Sequence, residues 1–214
     1  MITARNLRKD FDGFLALDDV SFEFMDGEIF GIIGHNGAGK TTLLKIISGL
    51  IAPTRGELFI NDIDVVKDPL ALKQNLGYLP EESRLYETMT AENYLAFFGE
   101  IYGLSPQEIR VRSTQLFAAL SLEPNGKKIG EFSKGMKRKT AIARSLIHDP
   151  GFLVYDEATS GLDPMTSRFI ADYLRRLRKD GKTIVLSAHN LYQVEAICDK
   201  VMILRRETLL RLAP

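Results

Sequence analysis

Residues Gly34-His35-Asn36-Gly37-Ala38-Gly39-Lys40-Thr41 follow the pattern G-x-x-x-x-G-K-[ST] without a departure. Glycines at that spacing let backbone N–H groups converge on phosphate oxygens, and a helix starting near Lys40 aims its positive end at the same anion. Lys40 then neutralises the outer phosphates, the Thr41 hydroxyl reaches a Mg2+ ion, and Thr42 counts with the loop as a phosphate-binding residue. A second group, Asp156-Glu157, stands directly after the apolar run Phe152-Leu153-Val154-Tyr155. Asp156 is placed to hold Mg2+ directly or through water, and Glu157 to orient or deprotonate an attacking water. Read alone, the first pattern is a glycine-rich turn and the second a solvated one. Together they describe a site for a nucleotide and its metal ion.

These residues need a scaffold that brings strand ends together. Ile29-Phe30-Gly31-Ile32-Ile33 has the composition of a fully buried strand, and Thr41 to Ile47 reads as a helix ended by Gly49. Ahead of it Leu15, Leu17, Val20, Phe22 and Phe24 lie among polar residues, as expected of half-buried antiparallel strands. Glu57-Leu58-Phe59-Ile60 with Asn61-Asp62 suggests a short hairpin. From about residue 82 to 150 the spacing turns helical, over Ala91 to Tyr102, Pro106 to Leu120 and Lys134 to His148, with Gly103, Pro124, Asn125 and Gly126 as breaks. Phe152 to Tyr155 and Thr183 to Ser187 then read as buried strands separated by a helix near Ser167 to Lys179, and Leu209 to Pro214 reads as a short tail. The expectation is an α/β fold with a mostly parallel sheet, an N-terminal antiparallel β subdomain and an inserted helical subdomain, binding its ligand at the carboxyl ends of strands.

With 28 Lys plus Arg against 28 Asp plus Glu in 214 residues, no overall basic field speaks for nucleic acid or an anionic membrane surface. One cysteine, Cys198, can form neither an internal disulfide nor a thiolate metal site by itself, which fits a reducing compartment. The first residues show no signal-peptide pattern and no run of apolar residues is long enough to span a bilayer, so a cytoplasmic protein is expected.

The order of further motifs resembles the ATP-binding-cassette (ABC) ATPases over essentially the whole chain. Gly77-Tyr78-Leu79-Pro80-Glu81 looks like the family's Q-loop, with Glu81 where a Gln is usual; a carboxylate supplies a metal oxygen but donates no hydrogen bond. Phe132-Ser133-Lys134-Gly135-Met136 resembles the signature motif, usually Leu-Ser-Gly-Gly-Gln, at a helix start where Ser133 is a good N-cap. Ser160-Gly161-Leu162-Asp163 resembles the D-loop, and His189 falls at the switch histidine that contacts the γ-phosphate. Phe11 takes the place of an aromatic that stacks on adenine, with Phe14 as its rival. His35 contributes only backbone to the loop.

The resemblance implies a single P-loop NTPase domain over residues 1–214, with a catalytic core of about 1–81 and 151–214 and a helical subdomain of about 82–150. It implies ATP and Mg2+ as cofactors, with Glu157, His189 and Lys40 catalytic and Thr41, Glu81 and Asp156 on the metal. ATP would bind between the Gly34–Thr41 loop of one chain and Ser133, Lys134, Gly135 and Met136 of a second, in a homodimer. The work would be ATP hydrolysis driving transport, through an integral membrane subunit, by a protein on the inner face of the cell membrane. Leu85, Tyr86 and Met89 are candidates for the groove that receives that subunit, ordinary core packing being the other reading. The alternative function is an ABC ATPase acting on nucleic acid or ribosomes, for which the usual long insertions are missing.

Overall fold

A computed structural model describes residues 1–188, 194 and 197–205, together with the backbone of 208–213. Strand β1 (Ile2–Phe11) turns at Asp12-Gly13 into β2 (Phe14–Phe24), and the two pair antiparallel from Ile2↔Phe24 to Phe11↔Phe14. The register shifts along this ribbon, with Asn6 and Asp19 at φ 48° and 52°. Leu17 and Val20 are therefore both buried although three residues apart, which no strict alternation allows. After the buried strand β3 (Ile29–Ile33) and helix α1 (Lys40–Ile47), β4 (Arg55–Ile60) joins the free edge of β1 and turns back into β5 (Ile63–Asp64). The resulting antiparallel sheet has the order β2-β1-β4-β5.

The second sheet is built from β3, β6 (Leu76–Leu79), β7 (Phe152–Tyr155), β8 (Thr183–Ala188), β9 (Lys200–Arg205) and β10 (Thr208–Ala213), in the order β10-β9-β3-β8-β7-β6. All neighbours are parallel except β9 and β10. The expected tail at Leu209 to Ala213 is thus an antiparallel edge strand. Helix α2 (Pro69–Gln74), capped by Asp68 with Pro69 at its first position, also lies outside the expected elements.

Helices α3 (Ala91–Ile101), α4 (Pro106–Ala119) and α5 (Lys134–Leu146) fall where the periodicity put them. Thr90 caps α3, a Ser105/Glu108 capping box opens α4, and the Ser133 hydroxyl accepts the Met136 N–H at the start of α5. Helix α6 (Pro164–Lys179) starts three residues earlier than Ser167, because Asp163 caps it and Pro164 at its first position is preorganised rather than disruptive.

The parallel strands are buried on both faces, so their side chains feed two cores. Phe30, Ile32, Phe152, Val154 and Val185 pack with α1 and the antiparallel sheet. Ile29, Leu153, Tyr155, Ile184 and Leu186 pack with Tyr94 and Leu95 of α3, Ile142 and Leu146 of α5 and Leu174 of α6. The helical segment therefore shares its core with the sheet, and α5 lies against the strands whose ends carry the acidic residues.

Candidate active site

Between β3 and α1 the chain makes a tight loop. Gly39 has φ 92°, and a Cβ there would lie 2.5 Å from the Ala16 carbonyl oxygen, so both conformation and space demand glycine. At Gly34 a Cβ would sit 2.6 Å from the Leu204 carbonyl oxygen of β9. The loop thus wedges against the antiparallel sheet on one side and the parallel sheet on the other. Lys40 is 6% exposed and folds back over the loop, its Nζ donating to the carbonyls of Gly34 (2.6 Å) and His35 (3.2 Å). Burial lowers its pKa, and the carboxylates of Glu157, Asp156 and Glu81, in that order, pull it back up.

Those carboxylates come from the neighbouring strand ends. Asp156, just beyond β7, is 2% exposed; its N–H donates to the Leu79 carbonyl (2.8 Å), and its Oδ1 accepts the Ser187 hydroxyl at 2.5 Å. The same Ser187 Oγ, on β8, accepts the Glu157 N–H at 3.0 Å. Glu157 is buried with φ 51°, a left-handed conformation that a non-glycine residue keeps only where its surroundings enforce it, at about 1–3 kcal/mol. The enforcing contacts are Ser187 on one side and Arg138 of α5 on the other, which donates to the Glu157 carbonyl at 2.6 Å.

Loop and acids open on one cleft of about 340 Å³, lined by Phe14, Ala16, Asn36 through Thr42, Glu81, Asp156 and Glu157. Its floor is the carboxyl ends of β3, β6 and β7, where an open α/β sheet binds ligands. The glycine cradle, the buried ammonium and the loop at the start of α1 suit a polyphosphate, while the Thr41 hydroxyl with Asp156 and Glu81 forms an oxygen donor set suited to a hard cation. No group of three His, Cys, Asp or Glu that could hold a metal occurs among the described residues. A Mg2+ ion that takes most of its ligands from phosphate and water needs no such group.

Not every expected residue reaches this cleft. Phe14, 64% exposed, lines it, whereas Phe11 does not and lies under the Lys9 ammonium. The two phenylalanines oppose each other across the β1–β2 turn, so spacing alone did not separate them. His35 points to solvent with its Nδ1 2.8 Å from the Asn36 carbonyl, and Gly34 shapes the loop from behind. Ser133 and Lys134 are exposed at the tip of α5, away from the chain's own cleft, with Gly135 and Met136 half-buried behind them. Lys134 borders a second cleft of about 660 Å³ with Glu81, Lys137 and Ser160. His189 lies outside the described residues.

Two residues were missed by sequence reasoning. Ser187 holds both acids, and Arg138 gathers the backbone around them. A signal for Arg138 existed: it shares one helical stripe with Ala141, Ile142 and Ser145, an arginine on an otherwise apolar or small face.

The sequence profile described as ABC transporter matches residues 17–160. The ABC transporter ATP-binding protein NatA of Bacillus subtilis is 41% identical over 191 residues, covering 88% of this chain and 78% of that protein. A solved ATP-binding cassette, in a dimeric post-hydrolysis state bound to ADP and Pi, superposes with a TM-score of 0.91 at 26% identity over 100% of this chain and 98% of its own. The structure of cbiO1 from Clostridium perfringens, part of the ABC transporter complex cbiONQ, superposes with a TM-score of 0.90 at 26% identity, covering 99% and 87%. No helix among the described residues is long and apolar enough to cross a membrane. The chain belongs to the ABC transporter family, as an ATP-binding and ATP-hydrolysing cassette of the P-loop NTPase fold.

Proposed function

We propose that the chain hydrolyses ATP with Mg2+ in the cleft between Phe14 and the acids, as half of a site completed by a second copy, and passes the resulting motion to a membrane subunit. The carrying observation is the convergence of the glycine loop, Lys40, Glu81, Asp156 and Glu157 on one cleft at the strand ends. Phe14 offers its face to the base, the loop N–H groups and Lys40 hold the phosphates, and Thr41, Asp156 and Glu81 hold the metal. When bound, Mg2+ neutralises charge on the phosphate oxygens. Glu157 orients the attacking water and accepts its proton, and the backbone contacts that fix its left-handed conformation keep the carboxylate from wandering.

Ser133 through Met136 cannot serve the chain's own cleft, so the capped start of α5 faces the phosphates bound by the partner copy; the dimeric ADP- and Pi-bound relative supports this. Of the residues expected at the membrane-subunit groove, Leu85 and Met89 pack against the core, while Tyr86 is half exposed beside Phe97. Tyr86, Phe97 and Ile101 offer that subunit an apolar surface, on a chain that works peripherally at the inner face of the membrane. Glu157→Gln should form an ATP-dependent dimer by light scattering and copurify a polytopic membrane protein. A variant that stays monomeric in saturating ATP contradicts the shared site, and stimulation of the wild-type ATPase by DNA or ribosomes contradicts transport.

A further inference from the structure

Helix α5 carries one residue whose surroundings do not suit a packing role. The guanidinium of Arg138 is buried, and each of its nitrogens is engaged. Nε donates to the Ala158 carbonyl (2.9 Å). One terminal nitrogen donates to the carbonyls of Pro80 (2.8 Å) and Glu81 (3.0 Å) and to the Ser83 hydroxyl (3.2 Å). The other donates to the carbonyls of Asp156 (2.9 Å) and Glu157 (2.6 Å). These acceptors, backbone carbonyls apart from the Ser83 hydroxyl, lie on the two segments that leave β6 and β7, the segments that carry Glu81, Asp156 and Glu157 into the cleft. Nearly two turns further along α5, Arg144 donates to the Tyr78 carbonyl of β6 at 3.0 Å, so the helix is tied both to that strand and to the segment that leaves it.

Among the described residues the carboxylates of Asp156, Glu81 and Glu157 act on this guanidinium from a distance and none forms an ion pair with it. A buried charge held so is a poor way to gain stability, since an apolar side chain of similar volume usually serves at least as well. A planar fork reaching carbonyls from two different loops does something an apolar residue cannot: it sets the distance between those loops. Arg138 also stands four residues after Lys134, one helical turn from the end that faces a partner copy. Resting on the ATPase reading above, we propose that Arg138 is a positioning residue for hydrolysis. Its guanidinium locks the segments after β6 and β7 to helix α5, so that the acids of the chain's own cleft and the Ser133–Met136 end offered to the partner are placed by one shared clamp.

The test compares the wild-type chain with Arg138→Lys, which keeps the charge and the stem but cannot reach both loops. Amide hydrogen exchange, read without nucleotide, should quicken about tenfold or more at Asp156 and Glu157, while amides of β3 and α1 change less than about threefold. ATP turnover per nucleotide-binding site should fall on the order of ten- to a hundredfold, with KM within about threefold, because positioning and not binding is lost. Uniform acceleration across the sheet, or junction acceleration with turnover within about twofold of wild type, overturns the proposal. Should Arg138→Lys fail to fold, the wild-type chain decides by itself. The Asp156, Glu157 and Thr140–Ala143 amides should then open as one unit in increasing denaturant, and separate opening overturns the clamp. A wild-type chain that hydrolyses no ATP defeats the ATPase reading instead, whereas the exchange pattern stands or falls without nucleotide.

Discussion

Ser187 joins the two acids by a single oxygen, which makes Ser187→Ala a quantitative probe of the junction. The hydroxyl donates to a buried carboxylate, a bond worth about 1.5–3 kcal/mol, and its loss also strips the buried Glu157 N–H of its acceptor, at about 1–3 kcal/mol. Since the two terms share one atom and the alanine relieves the hydroxyl's own desolvation, the expected loss is about 2–4 kcal/mol. For a chain of this length that corresponds to a Tm lowered by roughly 5–15 °C. Urea unfolding should show a lower midpoint at an unchanged m-value, as a local loss leaves the buried surface intact. A double-mutant cycle with Asp156→Ala, which removes the acceptor, should return a coupling of about 1 kcal/mol or more. A loss under about 0.5 kcal/mol, or additive effects of the two substitutions, would refute the account of how Glu157 is held.

Three further outcomes follow from other parts of the structure. Phe14→Ala should weaken ATP binding by about tenfold or more, as base stacking on an aromatic is worth about 1–3 kcal/mol, while Phe11→Ala should stay within about twofold; titration calorimetry that ranks them the other way returns the adenine contact to Phe11. His148 stacks on Tyr102, its Nε2–H donates to the Leu76 carbonyl, and burial depresses its pKa to about 4. A folded-state pKa below the unfolded value of about 6.5 means stability that is present above pH 6.5 and lost as pH falls toward 4, on the order of 1–2 kcal/mol after screening at a partly exposed ring. His148→Gln should flatten that part of the stability–pH curve, and an unchanged slope would remove His148 as its source. Lys40→Ala is the third, and it bears on the whole reading.

What the sequence disclosed is uneven for physical reasons. The β3–loop–α1 unit was legible because its demands are local: glycines for close approach and positive φ, a lysine for charge, and a helix behind them. Helices α3, α4 and α5 were legible because each carries its own cap and an apolar stripe. Strand β6 was hidden, since four residues containing Gly77 show no pattern until Leu153 and Ser145 are packed against that glycine. Strand β10 read as a tail and β9 was not read as a strand, because a short edge pair is recognisable only from the parallel sheet it joins. In the cleft, the lining residues proposed to hold the nucleotide were readable as motifs. Ser187 and Arg138 were not, because their role consists of partners 18 to 58 residues away in sequence. The choice between Phe11 and Phe14 likewise depended on which side of a hairpin faces the loop.

In the reading proposed above, the cleft between Phe14 and the buried acids binds ATP through Lys40. Titration calorimetry of Mg-ATP into the wild-type chain and into Lys40→Ala, both checked for folding by circular dichroism, tests it most directly. About one ATP should bind per wild-type chain, with affinity reduced on the order of a hundredfold or more in the variant, as expected when a charge-assisted phosphate contact is lost from a buried site. Equal affinity in two folded proteins, or no binding by the wild type, would contradict it.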